Sequence, residues 1–225
     1  MIEVDASMTT DKVFYAFHNG EEPLELGIDR DIRTMSSEEV EKLFTLNSLR
    51  QGCGQMLEHF RGKCLINIDR SWFYWKEIIA LLDRMDMKDQ ILLKSGVEEE
   101  LLKELEESGT GIMYMPIMKS PEEWDIIQKY DINVAAAELI FTDLDSEFLS
   151  PEFMGRLKKA GIAPWVNAIT LNDEIILSGL LDDNNAIKIG FDETWGKLID
   201  MGFEIIQTDW PALLKGYISN KSNEK

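Results

Sequence analysis

The chain is short of cysteine, of positive charge and of long apolar runs, and each shortage closes off a class of protein. Two cysteines, Cys53 and Cys64, in 225 residues are too few for a disulfide framework, so reduced thiols in a cytoplasmic setting are expected. Twenty-three basic residues stand against 42 acidic ones, a formal net charge of −19. A surface of that sign has no general affinity for nucleic acid or anionic lipid. An anionic substrate must then be met by a metal ion or a local basic group. No apolar run approaches the roughly 20 residues of a membrane span, so stable membrane insertion is not expected, and the start lacks a basic-then-apolar secretory pattern. There is no internal repeat, and the polar tail SNKSNEK is expected to fray.

What is present is an alternation of short apolar runs and amphipathic stretches from about residue 65 onward. LINID (65–69) precedes SWFYWKEIIALLDRMD, in which Trp72, Trp75, Ile79 and Leu82 recur at helical spacing behind Ser71 as N-cap. QILLKSG precedes VEEELLKELEESG, a solvated helix face closed by Gly109. GIMYMPIM precedes SPEEWDIIQKYD, where Ser120, Pro121 and two glutamates mark a helix start. NVAAAELIF precedes SPEFMGRLKKAG, which opens on the same signal. APWVNAI precedes a less regular stretch, 170–190, and then the helix FDETWGKLIDMG; FEIIQTDW and PALLKGYISNK form the last unit. Trp72, Trp75, Trp124 and Trp195 read as core at helical spacing.

Strand followed by helix through six consecutive units, with near-continuous apolar strands, predicts an α/β fold with a parallel sheet covered on both faces. With the opening MIEVDA the count is seven strands, one short of a closed (β/α)8 barrel, and 225 residues suit a single barrel domain over 1–225. KVFYAF reads as an added strand. MSSEEVEKLF reads as a surface helix opened by Ser36 or Ser37, and residues 45–64 contain a second helix.

In such a barrel the chemistry gathers at the C-terminal ends of the strands. Those ends carry Glu3 and Asp5, then His18, Asp69, Lys94, Glu138, Trp165 with Asn167, and Thr208 with Asp209. Acids at i and i+2 of a strand share a face, which makes Glu3 and Asp5 costly to bury unless a cation lies between them. Three carboxylates at one rim suit a hard divalent cation. Each residue also has a plainer reading: a solvent-facing acid pair for Glu3 and Asp5, a loop histidine for His18, and a helix cap for Asp69. Lys94 ends the apolar ILLK and needs either a rim acid or a phosphate oxygen. Glu138 fits an internal salt bridge, and Trp165 fits ordinary packing.

Together these residues resemble the glycerophosphodiester phosphodiesterase family. EVDASMTTDKVFYAFHNG matches its E-x-D pair and following histidine in order, LELGIDRDIRTMSSEEVEKL its next segment, and LINID its third-ligand strand, with Asp69 in place of Glu. APWVNAI and MGFEIIQTDWPALL resemble its later strands. The resemblance implies metal-dependent hydrolysis of a small-molecule glycerophosphodiester to an alcohol and glycerol 3-phosphate. Glu3, Asp5 and Asp69 would hold Mg or Ca, His18 would act as the acid, and Lys94, Glu138 and Trp165 would face substrate.

Two departures accompany the match. There is no counterpart of the family's opening His-Arg strand, for His59 falls too late, and Ser71 replaces a lysine. These predict a β/α unit of about 30 residues ahead of residue 1, whose absence would open a seam and favour self-association as a homo-oligomer. A second reading is a non-catalytic barrel that binds a phosphorylated ligand or a protein partner. A third is an unrelated barrel enzyme with Lys94 as its reactive amine.

Overall fold

The opening IEVDASM forms a strand, β1 (Ile2–Met8), in the computed structural model, which describes residues 1–46, 52–172 and 174–223. The chain divides into two units, Met1–Tyr114 and Met115–Lys225. In the first, β1 uses its edges in succession. Ala6–Met8 pair antiparallel with β2 (Phe14–Ala16), while Ile2–Asp5 pair parallel with β3 (Ile66–Asp69). β4 (Ile91–Gly96) extends the sheet in parallel beside β3. The added strand expected in KVFYAF is therefore present, as are the strands in LINID and QILLKSG.

Helices of this unit are α1 (Glu22–Glu25), α2 (Ser37–Leu46), α3 (Cys53–Phe60), α4 (Trp75–Met85) and α5 (Glu99–Ser108). α2 opens on a reciprocal cap. Ser36 Oγ accepts from Glu39 N–H, and the Glu39 carboxylate accepts from Ser36 N–H, a capping box that decides between Ser36 and Ser37. The Asp11 carboxylate adds hydrogen bonds from the Ser37 hydroxyl and N–H, which hold its pKa down at about 2. Val40 and Phe44 of α2 are buried with Tyr15, Phe17 and Ile32 in a separate apolar cluster. α3 is the helix expected within 45–64; residues 47–51 of that expectation lie outside the described residues. α5 ends at Gly109, whose φ of 56° supplies the left-handed turn.

The second unit runs β5 (Met113–Met118), β6 (Ala136–Leu139), β7 (Ala163–Asn167) and β8 (Ile205–Gln207), all parallel neighbours. Its helices are α6 (Glu123–Ile127), α7 (Pro151–Ala160), α8 (Asp183–Ile189), α9 (Lys197–Asp200) and α10 (Pro211–Asn223). α7 is capped by Ser150, whose Oγ accepts from Phe153 N–H, with Pro151 following.

Three sequence expectations are corrected. Ser71 is no N-cap: it is buried, its hydroxyl donates to the Ile68 carbonyl, and a 3-10 turn (Ser71–Tyr74) separates it from α4. That turn breaks the helical spacing, so Trp72 is only half-buried, while Trp75, Trp124 and Trp195 are core. FDETWGKLIDMG is helical as expected, a π-helix (Asp192–Gly196) that runs directly into α9. The tail is helical through Asn223 as the end of α10, and Lys221 pairs with Asp200 at 3.1 Å; residues 224–225 lie outside the described residues. No helix among the described residues is long and apolar enough to cross a membrane.

Cys53 is fully buried at the start of α3, and burial pushes its thiol up to about 12, whereas Cys64 is half-buried. Because the thiolate is the reactive form, a disulfide reagent at pH 8 should titrate Cys64 in the folded protein and Cys53 only after denaturation. Two rapidly reacting thiols under native conditions would contradict this packing.

Candidate functional site

Register places the acids. In the parallel β1–β3 pair Glu3 lies opposite Asn67 and Asp5 opposite Asp69, so four polar side chains share one face of two adjacent strands. One oxygen from each of Glu3, Asp5 and Asp69 lies within 4.8 Å of the others, and all three residues are half-buried. On the next strand Asn67 faces Leu92, which brings Lys94 beside Asp69. Lys94 Nζ stands 2.6 Å from Asp69 Oδ2, with the lysine side chain 2% exposed. The other Asp69 oxygen accepts from Arg70 N–H at 2.6 Å.

Burial raises the Asp5 pKa above the usual carboxylate range, and the neighbouring Asp69 charge raises it further, against partial relief from His18, Arg70 and Lys94. Crowded carboxylates of this kind are relieved by a cation, and their oxygens still hold lone pairs beyond those already used. The donor set therefore fits a hard divalent ion held by Glu3, Asp5 and Asp69.

His18 reaches this corner because β2 runs back along β1. Phe17 N–H donates to the Asp5 carbonyl at 3.0 Å, and Ser7 Oγ donates to the Phe17 carbonyl at 2.8 Å. His18 itself is exposed. The loop beyond it is closed by Glu22, a carboxylate 3% exposed that accepts from Gly20 N–H at 2.6 Å and Ile32 N–H at 3.0 Å. Arg70 Nη1 lies 2.7 Å from His18 Nε2. A guanidinium only donates, so this contact assigns Nε2 as the acceptor.

Glu138 and Trp165 belong to the second unit, side by side on β6 and β7 and 2% and 3% exposed. Trp165 Nε1 is buried with no hydrogen-bond partner among the described residues. Asn167 turns its Oδ1 to the Ile169 N–H. Thr208 and Asp209, at the end of β8, are held by Asp183, which accepts from Thr208 Oγ1 at 2.7 Å, Asp209 N–H at 2.8 Å and Trp195 Nε1 at 3.0 Å. The first unit thus brings together Glu3, Asp5, Asp69, Lys94 and His18. Arg70, Glu22, Asn67 and Asp183 are the polar residues that sequence reasoning missed. A run of N-I-D-R-S after an apolar segment gave a signal for Arg70 only by its adjacency to Asp69.

A family model described as a domain of unknown function matches residues 114–218, and no curated protein matches the chain. Solved structures do. A glycerophosphoryl diester phosphodiesterase from Parabacteroides distasonis aligns with a TM-score of 0.71 at 15% identity, covering 97% of this chain and 75% of that one. A glycerophosphodiester phosphodiesterase from Thermotoga maritima aligns at 0.66 and 17% identity, covering 96% and 83%. The fold is that of the glycerophosphodiester phosphodiesterases. An Oleispira antarctica phosphodiesterase, solved in complex with the product sn-glycerol-3-phosphate, shares it at a TM-score of 0.65 and 14% identity, covering 96% and 84%. The barrel-type α/β architecture expected from the strand–helix alternation is this fold.

The Lys94–Asp69 pair is a buried cation against a partly exposed anion, with Asp69 keeping 21% exposure. Lys94→Met should therefore lower the unfolding free energy by about 3 kcal/mol, the low end for removing one member of a buried pair. Urea denaturation without added metal measures it. A loss below about 1 kcal/mol, the scale of a surface ion pair, would show that Lys94 does not hold the acids together.

Proposed function

We propose that the chain hydrolyses glycerophosphodiesters to an alcohol and glycerol 3-phosphate in a reaction that depends on a divalent metal ion. The observation that carries this reading is the three-carboxylate cluster on β1 and β3, with ligand oxygens within 4.8 Å of one another. An all-carboxylate set favours Mg or Ca over softer metals. Bound there, such an ion would offset the charge of the diester and lower the pKa of a nucleophilic hydroxyl or water.

The chain's own groups supply the rest. His18 would give a proton to the departing alkoxide, a task suited to an imidazole because its ordinary pKa lies near neutrality. Lys94, paired with Asp69, would add positive charge facing a phosphoryl oxygen. Glu138 and Trp165 are assigned to substrate on the strength of the resemblance. The reduced thiols fit a cytoplasmic enzyme.

A second reading is favoured by Ser71. It stands where the resembling family carries a lysine, yet it is buried and donates to the Ile68 carbonyl, so it offers no charge to a ligand. A barrel that binds a phosphorylated ligand without turnover would tolerate that change.

Glycerophosphocholine hydrolysis with and without Mg or Ca tests the first reading, and calcium calorimetry separates it from the second. Asp5→Asn should abolish both metal binding and the metal-linked rise in Tm, and His18→Ala should slow turnover by about 10² to 10⁴-fold with metal binding intact. Tight calcium binding without turnover by the full-length protein would favour the binding barrel; an unchanged calcium titration in Asp5→Asn would remove the three-acid site.

A further inference from the structure

Arg70 follows the third acid directly, and its backbone is left-handed, with φ 56° and ψ 10°. A long side chain adopts that conformation at a cost, and a glycine would not. Its N–H donates to Asp69 Oδ1 at 2.6 Å, which ties the bend to the acid cluster. The bend aims the guanidinium at His18, Nη1 to Nε2 at 2.7 Å. Its Nε is buried and without a hydrogen-bond partner among the described residues. Asp5 and Asp31 both feel its charge, yet among the described residues no carboxylate forms an ion pair with it.

This is an unsatisfied use of an arginine. A planar fork of five donors, matched in shape to a carboxylate or phosphoryl group, here gives one donor to an imidazole and leaves another buried and unmet. We propose that Arg70 is a phosphoryl-binding residue that rests on His18 and passes to the anion when one arrives, freeing His18 Nε2. The identity of the anion as a phosphate ester rests on the function proposed above. A charged oxygen outcompetes an imidazole nitrogen for a guanidinium because hydrogen bonds with both partners ionised are about twice as strong as neutral ones. The tether to Asp69 and the contact with His18 then place the bound phosphoryl group beside both the acids and the proton-carrying ring. In a chain of net charge −19, such a local cation also answers how an anion is admitted.

The decisive variant is Arg70→Gly, because glycine adopts φ 56° without strain. If Arg70 serves the ligand, this change should leave Tm unchanged or raise it while weakening inorganic phosphate binding, measured calorimetrically, by about 10- to 100-fold, the range for a charged hydrogen bond. Added guanidinium ion should restore part of the affinity. In the wild type, phosphate should shift the ¹⁵N signal of His18 Nε2, one of only two histidines, and in Arg70→Gly it should not.

Equal phosphate affinity in the two proteins would overturn the proposal, as would a fall in Tm without guanidinium rescue, which would mark Arg70 as structural. The two readings fail separately. Arg70-dependent phosphate binding by a protein that hydrolyses no diester would sink the proposed reaction and leave Arg70 standing. Metal-dependent hydrolysis with the same KM in wild type and Arg70→Gly would do the reverse.

Discussion

Three carboxylates forced together by strand register are the constraint around which the first unit is arranged. Like charges about 4 Å apart repel by roughly 1 kcal/mol in water and about 4 kcal/mol at the effective dielectric of a protein surface. The pairing of Glu3 with Asn67 and Asp5 with Asp69 nevertheless has no easy alternative. A one-residue slip would turn both acids of β1 toward the face of Ile66 and Ile68, which are fully buried, at a far higher desolvation cost. The acids therefore stay, Lys94 brings positive charge to them from the adjacent strand, and the backbone N–H of Arg70 binds Asp69 from the bend that follows it.

The same constraint gives meaning to the inserted strand. β2 returns along β1 far enough for Phe17 N–H to reach the Asp5 carbonyl, and the next residue is His18. The segment that follows has its own apolar cluster, with Phe17, Ile32, Val40 and Phe44 each buried, a contribution of about 1.5–3 kcal/mol per large side chain. Glu22 ties the loop with two backbone hydrogen bonds. Removing that carboxylate would leave the Ile32 N–H buried and unmet, a cost of about 1–3 kcal/mol. An exposed histidine is thus carried on a segment that is itself well anchored.

Much of this was legible in the sequence, and the parts that were not share a cause. Apolar runs bounded by turn residues located β3 to β8, and Ser-Pro-Glu located α7, because these signals act over a few neighbouring residues. Glu3 and Asp5 were legible as a pair because strand periodicity fixes their common face. The contact of Asp69 with Lys94 was not assigned between its alternatives, since it depends on the β3–β4 register. Arg70 escaped because its role comes from a left-handed backbone that composition does not announce. Glu22 and Asp183 look like ordinary surface acids until the loops that bury them are folded. Trp72 was misplaced because a helical period was carried through a 3-10 turn, where the rotation per residue differs.

The strands of the first unit divide their labour by face, and that division explains a residue with no obvious benefit to stability. On β3 the side chains of Ile66 and Ile68 are fully buried on one face, while Asn67 and Asp69 occupy the other. On β4 Ile91 and Leu93 are likewise fully buried, and Leu92 and Lys94 alternate with them. Asn67 is 0% exposed, and neither its amide oxygen nor its nitrogen has a hydrogen-bond partner among the described residues. A buried unmet polar group costs about 1–3 kcal/mol, so leucine or valine there would favour stability. Yet Asn67 sits next to Glu3 and one residue pair below Asp5 and Asp69, where an apolar side chain would lower the local polarity and add to the desolvation that burial already imposes on Asp5. The apolar face carries the stability, and the polar face keeps a buried, unmet amide beside its carboxylates at a cost to it.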